Sequence, residues 1–271
     1  MLFYEGYDSY KIELTMNRRD FVLDSAKVAG ALLLSPVQLS GVTSFIPEKE
    51  FPLTKLTDGP KQHWFGYYDK LQVDPTGRFV LGNQVDLFFR SPAIEDKLTV
   101  GLIDLEINKL WTPLGETTAW GWQQGCMLQW LPGSSAEVIW NSRVKGKFVS
   151  IIHNIRSNSQ RILPKPIYTL SPDGRYGFGI DFGRLQFFRP GYGYATEDKN
   201  VPEKAPEDTG IYRIDLKSGA SELILSYADL AKLDRPLGSV AENYHWINHL
   251  LVNPAGDRMV FLNPFPSLSQ S

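Results

Sequence analysis

Four times along this chain a polar turn built around proline and glycine runs into a short apolar stretch. The copies are Val73-Asp74-Pro75-Thr76-Gly77-Arg78-Phe79-Val80-Leu81, Leu131-Pro132-Gly133-Ser134-Ser135-Ala136-Glu137-Val138-Ile139-Trp140, Leu170-Ser171-Pro172-Asp173-Gly174-Arg175-Tyr176-Gly177-Phe178 and Val252-Asn253-Pro254-Ala255-Gly256-Asp257-Arg258-Met259-Val260-Phe261. Proline at the second turn position, with glycine or aspartate near the fourth, is what a tight reversal between antiparallel strands requires. After the first and third copies a strand, a turn and another strand follow, Val100–Leu105 into Asn108–Trp111 and Gly210–Leu216 into Ser218–Ile224, and Phe148–Ile155 takes the same role after the second. A repeated unit of this kind is a β-propeller blade. The expected fold class is therefore all-β, a propeller of four-stranded antiparallel blades over residues 51–271, with three blades complete and the opening strands of a fourth. Closed propellers have about four to eight blades, so the reading is of an incomplete propeller whose open blade edge invites self-association.

Composition supports a sheet protein: 13% of residues are aromatic, with 23 glycines and 18 prolines for turns. The 28 basic and 30 acidic side chains leave a net charge of -2, with no basic excess to neutralise phosphates, which excludes a general nucleic-acid partner. Cys126 is the only cysteine, so neither an intrachain disulfide nor a cysteine zinc site can form. Residues 1–45 read as a leader. Asn17-Arg18-Arg19-Asp20-Phe21-Val22-Leu23 followed by the apolar run Val28–Leu34 and Ser35-Pro36 has the layout of a twin-arginine export signal on a signal helix, with Met16 as the natural start. That run is too short to span a bilayer. The expected location is the periplasm or beyond, with no membrane span in the mature chain. The polar insert Pro190–Thr209 reads as a long loop, either facing substrate or solvated.

His63-Trp64-Phe65-Gly66-Tyr67-Tyr68-Asp69-Lys70, Trp122–Trp130, Pro166–Gly174, Arg189-Pro190-Gly191-Tyr192-Gly193-Tyr194 and Asn248-His249 resemble the bacterial propeller proteins similar to ulvan lyases. More distantly they resemble oligogalacturonate lyases and TolB-type propellers. The resemblance covers roughly Lys61 to Leu262 and implies an acidic polysaccharide or oligosaccharide as partner, cleaved by β-elimination. Such chemistry needs a base for the proton beside the uronate carboxylate, a cation for the enolate-like charge and an acid for the leaving oxygen. A tyrosine can serve as base or acid where a neighbouring cation lowers its pKa. The spacing of Tyr168 and Arg184 is similar to that of the tyrosine and arginine in ulvan lyases, which implies acid or base and charge stabiliser respectively. Their histidine pair has no counterpart near Gln123, Gln124 or Asn141–Arg143.

His63, ahead of an aromatic strand, is a third catalytic candidate if it points into a central channel. Candidate substrate-binding residues are Trp122, Gln123, Gln124, Asn141, Arg143, Tyr192, Tyr194 and His249, since flat aromatic faces beside amides suit sugar rings. His245 and His249, four apart, are candidate ligands for a divalent metal together with Glu242 or His63, although no cofactor is required. Blander roles stand beside these: Tyr168 packing the blade, Arg184 pairing with Asp181 or Asp173, His153 structural in an outer hairpin, and tryptophans packing between blades. Two other functional classes also stand: a non-catalytic TolB-like propeller binding a glycan or protein, and an inactive truncated family member.

Overall fold

The computed structural model describes residues 2–4, 53–87, 89–197, 203–233 and 243–264. The twin-arginine segment lies outside the described residues, as does Glu242. The chain divides into two compact units, Leu2–Lys55 and the remainder from Leu56 onward. In the first, β1 (Leu2–Tyr4) pairs antiparallel with β2 (Leu53–Lys55), so residues 2–4 form a strand where the sequence reads as leader.

The second unit is mostly β. Three four-stranded antiparallel sheets follow one another, each in simple up-and-down order. The first holds β3 (Gln62–Trp64), β4 (Phe79–Val85), β5 (Leu98–Asp104) and β6 (Leu110–Thr117). The second holds β7 (Gln129–Trp130), β8 (Glu137–Val144), β9 (Lys147–Asn154) and β10 (Ser159–Leu163). The third holds β11 (Thr169–Leu170), β12 (Tyr176–Gly179), β13 (Gly210–Asp215) and β14 (Ser221–Ser226). A two-stranded hairpin, β15 (Asn248–Val252) and β16 (Met259–Leu262), follows.

The repeated turns occupy equivalent places. Gly77, Gly174 and Gly256 each donate their N–H, at 2.9 Å, to the carbonyl three residues back, on Asp74, Ser171 and Asn253. All three glycines have positive φ (75°, 68° and 76°), which L side chains adopt only with strain. The second copy is a variant in which Gly133 (φ 74°) stands at the third position and Ser134 donates to Leu131. The residue opening each regular turn also caps it: Asp74 accepts from the N–H groups of Thr76, Arg78 and Phe79, Ser171 from Tyr176, and Asn253 from Asp257 and Arg258. The outer hairpins repeat too. The side chains of Asp104, Asn154 and Asp215 each accept two N–H groups from the following turn. The next residues, Leu105, Ile155 and Leu216, donate to the carbonyls of Arg78, Ala136 and Arg175.

Each sheet packs on the next. Leu81, Val100, Trp130, Val138 and Trp140 belong to the cluster joining the first and second sheets, and Ile139, Ile152, Leu170 and Ile214 to the one joining the second and third. Tyr168, Phe182, Ile211, Ile247 and Leu250 form a further core, against which Met259 and Phe261 of β16 pack. Trp120, Trp130 and Trp140 are fully buried in these layers. His153 is buried on β9 beside Trp140, with ring centroids 6.0 Å apart.

The strand from Tyr176 stops at Gly179, and Phe182–Phe188 is a helix, α1, which carries Arg184. A side chain at Gly179 would collide with the Pro166 carbonyl oxygen, so the close approach there requires glycine. Asp181 then caps the helix by accepting the N–H of Arg184 at 2.9 Å. The insert after α1 is not merely a surface excursion: Tyr194 is fully buried and stacks on Phe182, with centroids 4.3 Å apart and planes 3° from parallel. A second short helix, α2 (Tyr227–Ala231), follows β14. Among the described residues no helix is long and apolar enough to cross a membrane.

Candidate functional site

The segments that open the sheets meet in a buried polar knot. Gln124 precedes β7, Tyr168 precedes β11, and Asn248 begins β15. All three are buried. The Gln124 side-chain amide donates to the Tyr168 hydroxyl at 2.9 Å and to Asn248 Oδ1 at 3.0 Å. The Tyr168 hydroxyl donates to Asn248 Oδ1 at 3.0 Å. Beneath the ring, the buried Lys70 Nζ lies 5.0 Å from its centroid and 2.9 Å from Asp69 Oδ1. Burial pushes the Lys70 ammonium below its usual pKa, and Asp69 opposes that shift.

This knot fixes the backbone of the next residue. The register of β15 against β16 shifts between Asn248 and Leu251, marking a bulge, and His249 within it has φ 55°. A left-handed histidine in a strand is strained by roughly 1–3 kcal/mol, and bulges re-aim side chains. The His249 N–H is held by the Tyr168 hydroxyl at 3.1 Å and by Asn248 Oδ1 at 2.9 Å.

So aimed, the imidazole stands between two tyrosines. Tyr67 Oη is 2.5 Å from His249 Nδ1, and the rings stack with centroids 5.6 Å apart. Tyr192 meets the imidazole edge-on at 6.3 Å. The Arg189 guanidinium donates to the Tyr192 hydroxyl at 3.2 Å and lies 4.6 Å from its ring centroid. A cavity of about 340 Å³ opens here, walled by Tyr67, Tyr68, Asp69 and His249 on one side and by Leu251, Val260, Phe261 and Leu262 on the other.

The electrostatics separate the two phenols. Arg189, helped by the Gln123 side chain, draws the Tyr192 pKa below the ordinary phenol value. Burial, reinforced by Tyr68, pushes that of Tyr67 up, so its proton is retained. Burial also lowers His249 below 6.5, against the pull of Asp69, leaving a neutral ring at neutral pH that shares a hydrogen bond with the Tyr67 hydroxyl. A phenol drawn down by a cation, a phenol pushed up by burial and an imidazole touching both are groups between which protons can move.

The residues singled out from sequence fall into distinct groups. Gln123, Tyr192 and His249 lie at this site, with Gln124 and Tyr168 in the knot behind it. Tyr168 has no exposed surface, and burial raises its pKa, so it offers no acid or base to solvent. Arg184 is buried too: its guanidinium donates to the carbonyls of His245 at 2.5 Å and Lys204 at 2.8 Å, clamping two loops to α1. Asn141 is a buried staple donating to the Ile167 carbonyl and to the Tyr194 hydroxyl, and Arg143 donates to the Ala195 carbonyl. His63 rests against Trp111, with centroids 4.9 Å apart, and bonds Gln84 at 2.7 Å. Trp122 lines a different cavity. His245 is enclosed, with Nδ1 3.2 Å from Asn263 Oδ1, while His249 is engaged with Tyr67. Among the described residues, no group of three or more His, Cys, Asp or Glu stands ready to hold a metal.

Tyr67, Tyr68, Arg189 and Asn248 were not candidates from sequence. The available signal was the pair of words Tyr-Tyr-Asp-Lys and Arg-Pro-Gly-Tyr-Gly-Tyr, the second of which places an arginine three residues before Tyr192.

No family model matches the chain, and no curated protein matches it. Among solved structures it is similar to the crystal structure of TolB from Acinetobacter baumannii, at 8% sequence identity and a TM-score of 0.43, covering 78% of this chain. The chain spans 40% of that protein's length.

Proposed function

We propose that this chain is part of an exported, carbohydrate-active β-propeller, three blades and the start of a fourth, that cleaves a uronate-containing glycan by β-elimination at the Tyr67–His249–Tyr192 cluster. The observation that carries the reading is the geometry of the cluster: Tyr67 Oη 2.5 Å from His249 Nδ1, Tyr192 edge-on to the same imidazole at 6.3 Å, and the Arg189 guanidinium on the Tyr192 hydroxyl at 3.2 Å. In the reaction, the Tyr192 phenolate takes the proton from the carbon beside the uronate carboxylate. The electron pair of that C–H bond becomes the new C=C bond, the glycosidic C–O bond breaks, and the leaving oxygen takes the Tyr67 proton. Solvent then returns the proton from Tyr192 to Tyr67. Arg189, exposed beyond its bond to Tyr192, favours the phenolate and pairs with the substrate carboxylate. The apolar β15–β16 residues Leu251, Val260, Phe261 and Leu262 of the 340 Å³ cavity border the bound ring. The twin-arginine leader directs the chain to the periplasm or beyond in this reading.

The test is ultraviolet absorbance of unsaturated uronate when the protein meets a panel of uronate polysaccharides. Tyr192→Phe removes the base and should lower the rate by about a hundred-fold or more, with His249→Ala similarly impaired. Absence of unsaturated product on every polysaccharide, or an unimpaired Tyr192→Phe, would defeat the proposal.

A further inference from the structure

A second cavity, of about 510 Å³, lies beside the first sheet and is lined by Gln62, Leu87, Phe89, Arg90, Ser91 and Trp122. Two of its walls are unusual. Phe89 is completely exposed, at 103% of its reference surface, and has φ 52°. A bulky residue in the left-handed region is an outlier, and here the outlier presents an apolar ring to solvent. Backbone strain of this kind clusters where ligands are gripped.

Trp122 is held rigidly. Its ring packs on Trp64 at 5.2 Å and on Trp120 at 5.3 Å, and its indole N–H donates to the Arg90 carbonyl at 2.7 Å. Arg90 is braced in turn by two bonds to the Asp96 carboxylate, at 2.6 and 2.8 Å. Asp96 also accepts the N–H of Ala93, and its carbonyl accepts the indole N–H of Trp120.

The charges at this cavity are paired off. Arg90 is neutralised by Asp96, and Lys61, next to Gln62, stands 3.9 Å from Asp86, next to Leu87. What remains is an apolar space between a fixed indole and a projecting phenyl ring, with the Gln62 amide and Ser91 hydroxyl as polar groups. That chemistry selects a neutral ring with apolar faces and hydroxyl edges. Trp122 and Gln123 are consecutive, and the Gln123 side chain bonds Tyr192, whose ring meets His249, so this cavity lies one residue along the chain from a side chain that touches the Tyr192–His249 cluster.

We propose that the Phe89–Trp122 cavity is a second subsite, taking a neutral sugar ring of the same glycan whose uronate lies at Tyr192 and His249. The assignment of a glycan rests on the reading above, but its test does not depend on cleavage. Calorimetric titration of the full chain with a disaccharide, a tetrasaccharide and a hexasaccharide of alternating uronate and neutral sugar reads affinity directly. Phe89→Ala, at a fully exposed position, leaves folding intact, and Trp122→Phe keeps the packing on Trp64. Loss of one ring stacking partner should weaken binding of the longer oligosaccharides about three- to ten-fold, with a smaller effect on the disaccharide. Equal losses at every length, no loss at any length, or no binding of any oligosaccharide by the unaltered protein would overturn the subsite. Length-dependent loss without unsaturated product would keep the subsite and defeat the elimination chemistry.

Discussion

Replacing Tyr168 by phenylalanine separates a catalytic tyrosine from one that holds another residue in place. The hydroxyl takes part in three hydrogen bonds, with Gln124 Nε2, Asn248 Oδ1 and the His249 N–H, at 2.9, 3.0 and 3.1 Å. The ring itself is kept, with its stack on Phe182 at 6.0 Å and its contact with Lys70. Gln124 and His249 each retain a second acceptor in Asn248 Oδ1, so neither donor is stranded. At about 1 kcal/mol net per buried hydrogen bond, with partial compensation, the cost is about 2 kcal/mol. For a unit of this size that is a fall in Tm of about 4–8 °C. Urea unfolding should show a lower midpoint with an unchanged slope. The loosened bulge should slow elimination without abolishing it, because the shifted pKa values of Tyr67 and Tyr192 arise elsewhere. Complete loss of activity at unchanged stability would make Tyr168 the chemical group and refute this reasoning; an unchanged midpoint would refute the knot.

Three further outcomes are expected. Arg189→Gln removes the cation that holds Tyr192 down, so an ultraviolet difference titration should show the Tyr192 pKa moving up towards 10, and the alkaline part of any pH–rate profile moving with it; an unmoved titration would reassign the shift. His249 binds fewer protons folded than unfolded at pH values below 6.5, so its contribution to stability is full above 6.5 and is lost as pH falls through its depressed value; an imidazole titration by NMR centred at or above 6.5 would contradict this. Leu251, Val260 and Leu262, 48, 64 and 55% exposed on the β15–β16 hairpin, should drive concentration-dependent association, detectable by sedimentation and weakened by Val260→Lys; a strict monomer at all concentrations would count against an adhesive hairpin.

The repeating sheets were legible because their determinants are local. A turn such as Ser171-Pro172-Asp173-Gly174 contains its own instructions: proline sets one dihedral, glycine admits another, and the first side chain caps the freed N–H. The same holds for Asp104, Asn154 and Asp215, whose side chains close the outer hairpins within three residues. The helix after the third sheet's second strand also has a local signal, since Asp181 is a helix cap and Phe182, Leu185 and Phe188 recur at helical spacing.

The site was only partly legible because it is assembled from residues far apart in the chain. Tyr67 and His249 are 182 positions apart, and nothing near either residue announces the other. A tyrosine beside an arginine is the pattern for a lowered phenol pKa, and burial separates the two such pairs. Tyr168 and Arg184 are enclosed, and the direct effect of enclosure is to favour the neutral phenol. Tyr192 and Arg189 are three residues apart on a surface loop, where the cation shifts the phenol without a large desolvation penalty. In the proposed reaction the buried tyrosine therefore sets geometry and the surface one supplies the chemistry, through the backbone N–H that Tyr168 holds and the imidazole that Tyr192 meets.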